Sequence, residues 1–357
     1  MNLRVPGPTP LPEEVRAAMG AEMIDHRSED FEALLTEVTA SLRCFFGTTG
    51  EVLALTASGT GGLEAALVNV LSPGDKVLAV SVGAFGDRFA DIARAFGSEV
   101  IDLKFPWGRA LDAQTVADSL RAQGPVKALL TTHNETSTGV LNDLAAVSAV
   151  LRRLGHDRPL WLVDGVSSLG AVELPMDDWG CDLVIAASQK AWMAPPGLAM
   201  LGVSARAWER MDQAACPRFY WDLRRARDFA AKGQTPFTPA VSALYGLRAA
   251  LQQLSEEGLL AIAERHQRLA RQLREGIKAM GLRLFADERH ASPTLTAVWV
   301  PERRSAKEIK LRLAARHGVQ VATGMGAFKD QVLRVAHMGY CSGQDLEQVE
   351  SALSAEL

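Results

Sequence analysis

Short apolar runs alternate with amphipathic segments up to residue 203. Seven of the runs have the length and composition of buried strands: 52–56, 77–81, 100–103, 126–131, 160–163, 183–187 and 198–203. Segments of helical periodicity lie between most of them, as at 63–71, 85–96, 112–121 and 143–154. Strands that alternate with helices predict a mostly parallel sheet covered on both faces. The predicted fold class is therefore α/β, built on a mostly parallel seven-stranded sheet.

The pattern changes after this region. Residues 205–237 are polar and aromatic without regular periodicity, and a long helical stretch follows. Residues 294–357 contain two or three further strands and two helices, which predict a smaller C-terminal α/β domain. At the other end, the proline-rich residues 5–10 predict an extended arm. We therefore divide the chain into an arm at 1–14, a large domain at 15–255 and a small domain at 256–357.

Composition narrows the classes of function. Hydrophobic residues make up 48% of the chain and the net charge is -4, which gives no reason to expect nucleic acid or an anionic membrane as a partner. The four cysteines lie far apart without metal-ligand spacing, so neither disulfides nor a metal site is expected. A signal peptide and an apolar run of about 18 residues are both missing, so we expect a cytoplasmic protein.

The clearest candidate for chemistry is Lys190. It follows the apolar run 183–187 directly, through Ser188 and Gln189. A lysine just beyond a buried strand loses hydration, which disfavours the ammonium form and leaves a nucleophilic amine. A strand-end lysine whose amine reaches back to water is the alternative.

Other strand ends also carry notable residues, and ligands of open parallel sheets bind at those ends. The glycine-rich turn 57–62 opens a helix and predicts an anion site, although a tight turn without a ligand is the alternative. Phe85 lies between two glycines and either faces a planar ligand or starts a helix core. The polar residues 132–139 either face a ligand or cap the next helix.

Two charged residues complete the set. Asp164 ends an apolar strand, where it either pairs with a ligand nitrogen or caps a turn. Arg334 interrupts an apolar strand and either captures a carboxylate or lies on an exposed face. Together these features supply an anion-binding turn, an aromatic ring, a carboxylate, an amine and an arginine that can bind a carboxylate. Pyridoxal 5′-phosphate (PLP) needs that set.

With these residues in view, the sequence resembles the class V aminotransferases of PLP fold type I. It is most similar to the branch of alanine–glyoxylate, serine–glyoxylate and serine–pyruvate aminotransferases. The most specific motif is Ser188-Gln189-Lys190-Ala191 with Pro195-Pro196-Gly197. Further motifs cover residues 6–12, 25–31, 58–61, 135–139, 163–168, 235–242 and 333–335, so the resemblance spans nearly the whole chain.

The resemblance implies a role for each matching position. Lys190 would form the internal aldimine with PLP, Asp164 would contact the pyridine nitrogen, and Arg334 would bind the substrate carboxylate. The backbone at Gly7 would shape the substrate pocket. The remaining implied cofactor contacts are Phe85, Thr60, Gly61, Gly62, Thr136, Val166 and Gln189, with Thr235 and Thr238 reaching the phosphate across a dimer interface. Gly62 departs from the pattern, because some relatives carry a histidine there.

The implied function is PLP-dependent transamination between a small amino acid, alanine or serine, and glyoxylate or pyruvate. The enzyme would be a homodimer with active sites at the interface. A phosphonate or phosphorylated substrate is an alternative that would need a second anion site. Cysteine desulfurases share the fold but usually place histidine before the lysine, where this chain has Gln189. A non-catalytic nucleotide-binding module is the alternative from another class.

Overall fold

The computed structural model describes residues 1–357 and begins with an extended arm. Strand β1 (Asn2–Leu3) pairs in parallel with residues 319–320 near the other end of the chain. Helices α1 (Glu13–Met19) and α2 (Glu29–Phe46) follow. The hydroxyl of Ser28 accepts a hydrogen bond from the N–H of Phe31 and so caps α2.

A seven-stranded sheet forms the centre of the molecule. Its strands are β2 (Glu51–Thr56), β3 (Lys76–Ser81), β4 (Glu99–Lys104), β5 (Ala128–Thr132), β8 (Leu160–Asp164), β9 (Leu183–Ala187) and β10 (Leu198–Val203). A small separate hairpin of β6 (Asn134–Glu135) and β7 (Val140–Leu141) lies between β5 and β8 in the chain. The order across the sheet is β2-β10-β9-β8-β5-β3-β4. Only β10 runs in the opposite direction to the other six strands, antiparallel to both β2 and β9. The predicted mostly parallel, seven-stranded sheet is thus confirmed.

Helices cover both faces of this sheet. They are α3 (Gly59–Val70), α4 (Ala84–Ala95), α5 (Ala113–Gln123), α6 (Leu144–Leu154) and the short α7 (Met176–Trp179). Successive side chains of a strand point to opposite faces. In β5, Leu129 accordingly packs into one apolar core, and Ala128 and Leu130 pack into another.

The segment after the sheet contains more regular structure than its sequence pattern indicates. Helices α8 (Ala205–Met211) and α9 (Leu223–Ala230) form there, so the prediction of irregular structure is wrong for these residues. Each helix has a side-chain cap, Ser204 for α8 and Asp222 for α9. The long helices α10 (Val241–Glu257) and α11 (Leu259–Ala279) follow and meet at Gly258, which has φ +85°.

The C-terminal region has its own sheet and core. Its elements are β11 (Leu295–Trp299), α12 (Ala306–His317), β12 (Val319–Gln320), β13 (Ala322–Thr323), β14 (Val332–Ala336) and α13 (Gly343–Glu356). Two one-turn 3₁₀ helices lie nearby at 288–290 and 326–328, and a third lies after α6 at 155–157. Strands β11, β14 and β13 form an antiparallel sheet. A separate apolar core contains Leu273, Ile309 and Val349. The division at residues 14 and 255 stays a prediction.

No helix is both long enough and apolar enough to cross a lipid bilayer.

Candidate active site

A cavity of about 150 Å³ opens at the carboxyl ends of the parallel strands. Its lining comes from the loops after β2, β3, β5, β8 and β9 and consists of Ser58, Gly59, Thr60, Leu63, Phe85, Arg88, Asn134, Thr136, Asp164, Val166, Ser167, Gln189 and Lys190. Seven of the predicted site residues therefore meet in one place, because the carboxyl ends of parallel strands share one edge of the sheet.

Lys190 lies two residues beyond Ser188, whose hydroxyl accepts a hydrogen bond from the N–H of Leu198 at 3.3 Å. This bond helps fix the turn that carries the lysine into the cavity. The Lys190 amine donates to the carbonyl oxygen of Pro6 in the N-terminal arm. Burial lowers the pKa of Lys190 to about 8, although the nearby Asp164 carboxylate opposes the shift. About a tenth of the amine is therefore neutral and nucleophilic at pH 7, far more than for an exposed lysine.

Gly7 in the arm lies against the same side chain. A Cβ atom at this position would lie 3.0 Å from Cδ, Cε and Nζ of Lys190. The neighbouring Thr9 donates from its hydroxyl to the carbonyl oxygen of Lys190 at 2.9 Å. The arm therefore forms one wall beside the amine, and the role of Gly7 in shaping the substrate pocket stays a prediction.

Asp164 is the last residue of β8, and only 5% of it is exposed. The N–H of Val166 donates to its Oδ1 at 3.0 Å, and no cation lies within salt-bridge distance. Burial raises its pKa to about 7, against the effect of the Val166 hydrogen bond. A buried carboxyl group without a cationic partner is costly when ionised, which favours a cationic group of a ligand beside it.

The start of α3 forms a second wall of the cavity. The Ser58 hydroxyl caps the helix by accepting from the N–H of Gly61 at 3.2 Å. Gly59 and Thr60 line the cavity, where the first N–H groups of a helix lack intrahelical acceptors and attract anions.

Two glycines predicted as cofactor contacts do not line the cavity. A Cβ atom on Gly61 would lie 2.9 Å from the ring of Trp221, and one on Gly62 would lie 2.9 Å from Cγ2 of Ile185. Both positions therefore let α3 pack closely against its neighbours. A histidine at position 62 would meet strand β9 at this point.

Phe85 lies in the first turn of α4 and faces the cavity. The guanidinium carbon of Arg88, one turn later, lies 4.7 Å from the centre of the Phe85 ring. Arg88 forms no hydrogen bond and no ion pair within the chain, and it also lines the cavity. The sequence analysis did not single out Arg88, although its spacing of three residues from Phe85 on a helix is a signal for a shared face.

Arg334 in β14 lies beside the cavity without lining it, and 9% of it is exposed. Its Nε donates to the carbonyl oxygen of Thr323 at 2.7 Å, and its Nη1 donates to that of Thr136 at 3.0 Å. Burial lowers its pKa to about 10, so it stays charged at neutral pH. No carboxylate pairs with it, and three of its five N–H groups remain for a ligand.

Comparison with known proteins agrees with this geometry. The family model for aminotransferase class V matches residues 3–348. The chain belongs to the class V aminotransferases.

Three similar proteins illustrate the range of this family. The chain is 43% identical to the soluble hydrogenase small subunit of Synechococcus sp. (strain PCC 6716), with 99% of this chain and 92% of that protein aligned. It is 38% identical to the L-aspartate–glyoxylate aminotransferase of Paracoccus denitrificans, over 94% of this chain and 85% of that one. The crystal structure of an alanine–glyoxylate aminotransferase from Nostoc sp. has a TM-score of 0.95 and 31% identity, covering 99% of this chain and 94% of the other.

The cavity of this class V aminotransferase fits PLP. Asp164 supplies a buried carboxyl group for the ring nitrogen, and the start of α3 supplies N–H groups for the phosphate. Two buried acceptors lack any hydrogen-bond partner, Oδ1 of Asn134 and Oε1 of Gln189, and both residues line the cavity. Unpaired buried acceptors point to donors supplied by a ligand.

Asn134 was noted in the sequence only as part of a polar cluster. Its Nδ2 donates to Oγ of Ser167 at 2.8 Å and to Oγ1 of Thr294 at 3.0 Å, so its orientation is fixed. The amide oxygen remains free. Neither Asn134 nor Ser167 follows a pattern in the sequence that would separate a ligand contact from a helix cap.

Thr235 and Thr238 lie away from this cavity within the same chain. They line a second one with Thr56, Tyr220 and Phe237, next to the edge strand β2. The Thr235 hydroxyl donates to the carbonyl oxygen of Phe237 at 2.8 Å. Their contact with the phosphate of a partner subunit stays a prediction.

Proposed function

We propose that this class V aminotransferase uses PLP to transfer the amino group of alanine or serine to glyoxylate or pyruvate, with Lys190 as the catalytic residue. One observation carries the proposal. A lysine amine of lowered pKa and a buried, unpaired carboxyl group share a single cavity at the ends of the strands. Within this fold, PLP is the cofactor that needs both groups.

The chain offers a contact for each part of the cofactor. We assign the ring nitrogen to Asp164, one ring face to Phe85, and the phosphate to Thr60 and Gln189. Thr136 and Val166 are further contacts, because both line the cavity beside Asp164. When bound, PLP supplies an aldehyde that condenses with amines and a ring that accepts electrons.

The protein's own contribution is to move one proton and to orient the substrate. The Lys190 amine takes the proton from Cα of the amino donor, because its lowered pKa leaves it free to accept one. Arg334 holds the α-carboxylate through its unused N–H groups. Ionised Asp164 stabilises positive charge on the bound ring, which strengthens the withdrawal of electrons from Cα.

A donor with a second acidic group is the other candidate substrate. The unpaired guanidinium of Arg88 in the cavity favours it, since Arg334 already accounts for one carboxylate. The printed name of the Paracoccus denitrificans relative, L-aspartate–glyoxylate aminotransferase, points in the same direction.

Two other activities receive less support from the residues. A cysteine desulfurase needs a reactive cysteine near the cofactor, and no cysteine lines the cavity. The name of the Synechococcus relative, soluble hydrogenase small subunit, describes an activity that depends on metal centres. In this chain, all four cysteines are free, and no group of three or more His, Cys, Asp or Glu residues could hold a metal ion.

We further propose a homodimer that completes each active site. The support is an aromatic surface next to the second cavity, where 69% of Phe219 and 46% of Tyr220 are exposed. Exposed aromatic patches of this kind mark protein interfaces. A monomer in sedimentation experiments on the cofactor-loaded protein would contradict this proposal.

The deciding experiment is a half-reaction panel on the purified protein. PLP-loaded protein is mixed with alanine, serine, aspartate or phosphoserine, and loss of the yellow absorbance of lysine-bound PLP is followed. Borohydride reduction and peptide mapping then locate the cofactor, and we expect the label on Lys190. The Lys190→Ala variant should lose transamination, and the exposed-site variant Lys278→Ala should keep it. A label elsewhere, or none, would favour a non-catalytic nucleotide-binding module.

A further inference from the structure

The buried carboxylate of Glu135 takes no part in the chemistry described above. It lies in β6 between Asn134 and Thr136, which both line the cavity, and 0% of it is exposed. Burying a carboxylate is costly unless several donors satisfy it. The contacts that hold it therefore indicate its role.

Four donors converge on the two oxygen atoms of Glu135. The N–H groups of Phe85 and Gly86 donate to Oε2, each at 3.0 Å. The N–H and hydroxyl of Ser137 donate to Oε1 at 3.0 and 2.7 Å. An ionised carboxylate accepts at both oxygens, so this arrangement suits the charged form. Burial raises the pKa of Glu135, and these four hydrogen bonds oppose the shift.

These contacts cap the helix that carries the ring-facing Phe85. The N-cap residue of α4 is Gly83, which has no side chain to satisfy the first N–H groups. The hairpin supplies the acceptors instead. The hydroxyl of Ser137 accepts from Ala84 at 2.9 Å, and Glu135 accepts from the next two residues. The first turn of α4 is thus held from outside the helix.

The close approach depends on Gly83. A Cβ atom there would lie 2.4 Å from Oγ of Ser137 and 2.6 Å from Cδ of Glu135. Any other residue at position 83 would force the carboxylate away from the helix.

The other side of the hairpin contacts the carboxylate-binding arginine. The carbonyl oxygen of Thr136, the residue after Glu135, accepts from Arg334 at 3.0 Å. We propose that Glu135 is a positioning residue that holds Phe85 on one wall of the cavity and Arg334 on the other at a fixed separation. Cofactor stacking and binding of the substrate carboxylate then depend on the same buried group. The assignment rests on the proposed function, because it takes Phe85 as the cofactor contact and Arg334 as the substrate contact.

The test compares Glu135→Gln with Asp143→Ala. The Glu135→Gln variant has the same shape but turns one acceptor into a donor. Asp143 caps α6 by accepting from the N–H of Ala146 at 3.0 Å and does not line the cavity, so its loss measures the effect of removing a helix cap away from the site. Ser137→Ala removes one hydroxyl and leaves the carboxylate in place, which provides a second variant if Glu135→Gln does not fold.

Five quantities are measured: the melting temperature, the Kd for PLP, the circular dichroism of bound PLP, and both KM and kcat for the amino donor. For Glu135→Gln, we expect Kd and KM both to rise by roughly tenfold to a hundredfold and the dichroism to weaken, because both walls shift. Ser137→Ala should change the same quantities less. Asp143→Ala should lower only the melting temperature.

A fall in melting temperature with unchanged Kd and KM would overturn the assignment, because Glu135 would then be only structural. A rise in only one of the two constants would also overturn it, since the two walls would be independent. The Kd and dichroism of PLP do not require turnover. If the unmodified protein binds PLP but transaminates no donor, the proposed function fails, and these two measurements still test the link from Glu135 to Phe85.

Discussion

The amine of Lys190 donates a hydrogen bond to the carbonyl oxygen of Pro6, so the arm and the end of β9 meet at the reactive atom. The same arm is bound to the C-terminal region, since Ala336 donates to the carbonyl oxygen of Arg4 at 2.8 Å. The surroundings of the amine therefore combine the beginning, the middle and the end of the chain. A change in the arm should affect chemistry more than stability.

Gly7→Ala tests this relationship. Gly7 has φ +127°, and a Cβ atom there would press on Cδ, Cε and Nζ of Lys190 at 3.0 Å. We expect kcat/KM to fall by about tenfold or more, because the amine is displaced from its reacting position. Gly74→Ala is the matched control, since Gly74 also has positive φ but nothing within 4 Å. Equal losses in both variants would mean that backbone strain alone explains the effect.

The lowered pKa of Lys190 predicts selective labelling in the cofactor-free protein. Only the neutral amine reacts with an acylating reagent, and the pKa of Lys190 is about 8 because of burial. Its labelling rate should rise with pH and level off above about pH 9, whereas an ordinary lysine, with a pKa of about 10.4, continues to gain reactivity. Mass spectrometry of digested samples measures each site separately. A Lys190 profile that parallels those of the surface lysines would refute the shift.

Asp164 should destabilise the cofactor-free protein at neutral and higher pH. Its folded pKa of about 7 lies above the ordinary 3.8, so its contribution to stability is full below about pH 4 and is lost as the pH rises through 7. Asp164→Asn should therefore raise the free energy of unfolding at pH 8 by about 1–3 kcal/mol, and by less than half as much at pH 5. Denaturant unfolding at the two pH values measures both. The same variant should bind PLP more weakly, because the neutral amide cannot stabilise a cationic ring.

Asp182→Asn is the matched control for that prediction. Asp182 is also buried, with 1% of its side chain exposed, but Arg158 and Arg206 each donate to its Oδ2 at 2.8 Å. Replacing its charge leaves two arginines without their carboxylate and should lower the free energy of unfolding by about 3 kcal/mol. The two substitutions are chemically identical, but they should change the free energy of unfolding at pH 8 in opposite directions. The same sign for both would show that Asp164 already has a partner in the folded chain.

Replacement of Arg334 should affect the binding of every donor. Arg334→Gln removes the charge that captures the α-carboxylate, so we expect KM for the amino donor to rise by about tenfold to a hundredfold. Arg334→Lys should restore little, because a lysine cannot keep both backbone contacts and also bind a carboxylate in bidentate geometry. Steady-state kinetics measures the effect, and the surface variant Arg312→Gln is the control. An unchanged KM would assign the carboxylate to another group, with Arg88 as the first candidate.

Much of the site follows from the sequence because the sheet is parallel. Lys190, Asp164 and Thr136 are far apart in the chain, but each lies at or just beyond the end of a buried strand, and parallel strands end at one edge of a sheet. The resemblance to known aminotransferases then assigned a specific role to each of these residues. The prediction that Arg334 binds a carboxylate depended on this resemblance, because strand alternation alone leaves open which face of β14 is buried.

The missed residues depend on packing that a linear pattern does not encode. Gly62 contacts Ile185 instead of the cavity, which follows from the rotation of α3 on the sheet. Helix α9 was missed because its sequence is rich in charge and its apolar positions are few, although Asp222 marks its start. Glu135 was visible only as one of several polar residues, and its four donors come partly from a helix fifty residues earlier.

The pairing of β1 with β12 also bears on how the molecule is made. Residues 2–3 are synthesised more than 300 residues before their partners, residues 319–320. The strand pairing that fastens the arm beyond Pro6 and Gly7 therefore forms only after residues 319–320 have been synthesised. The seven strands of the large sheet all precede residue 204, so this sheet can assemble during translation before the outer strand of the arm finds its partner.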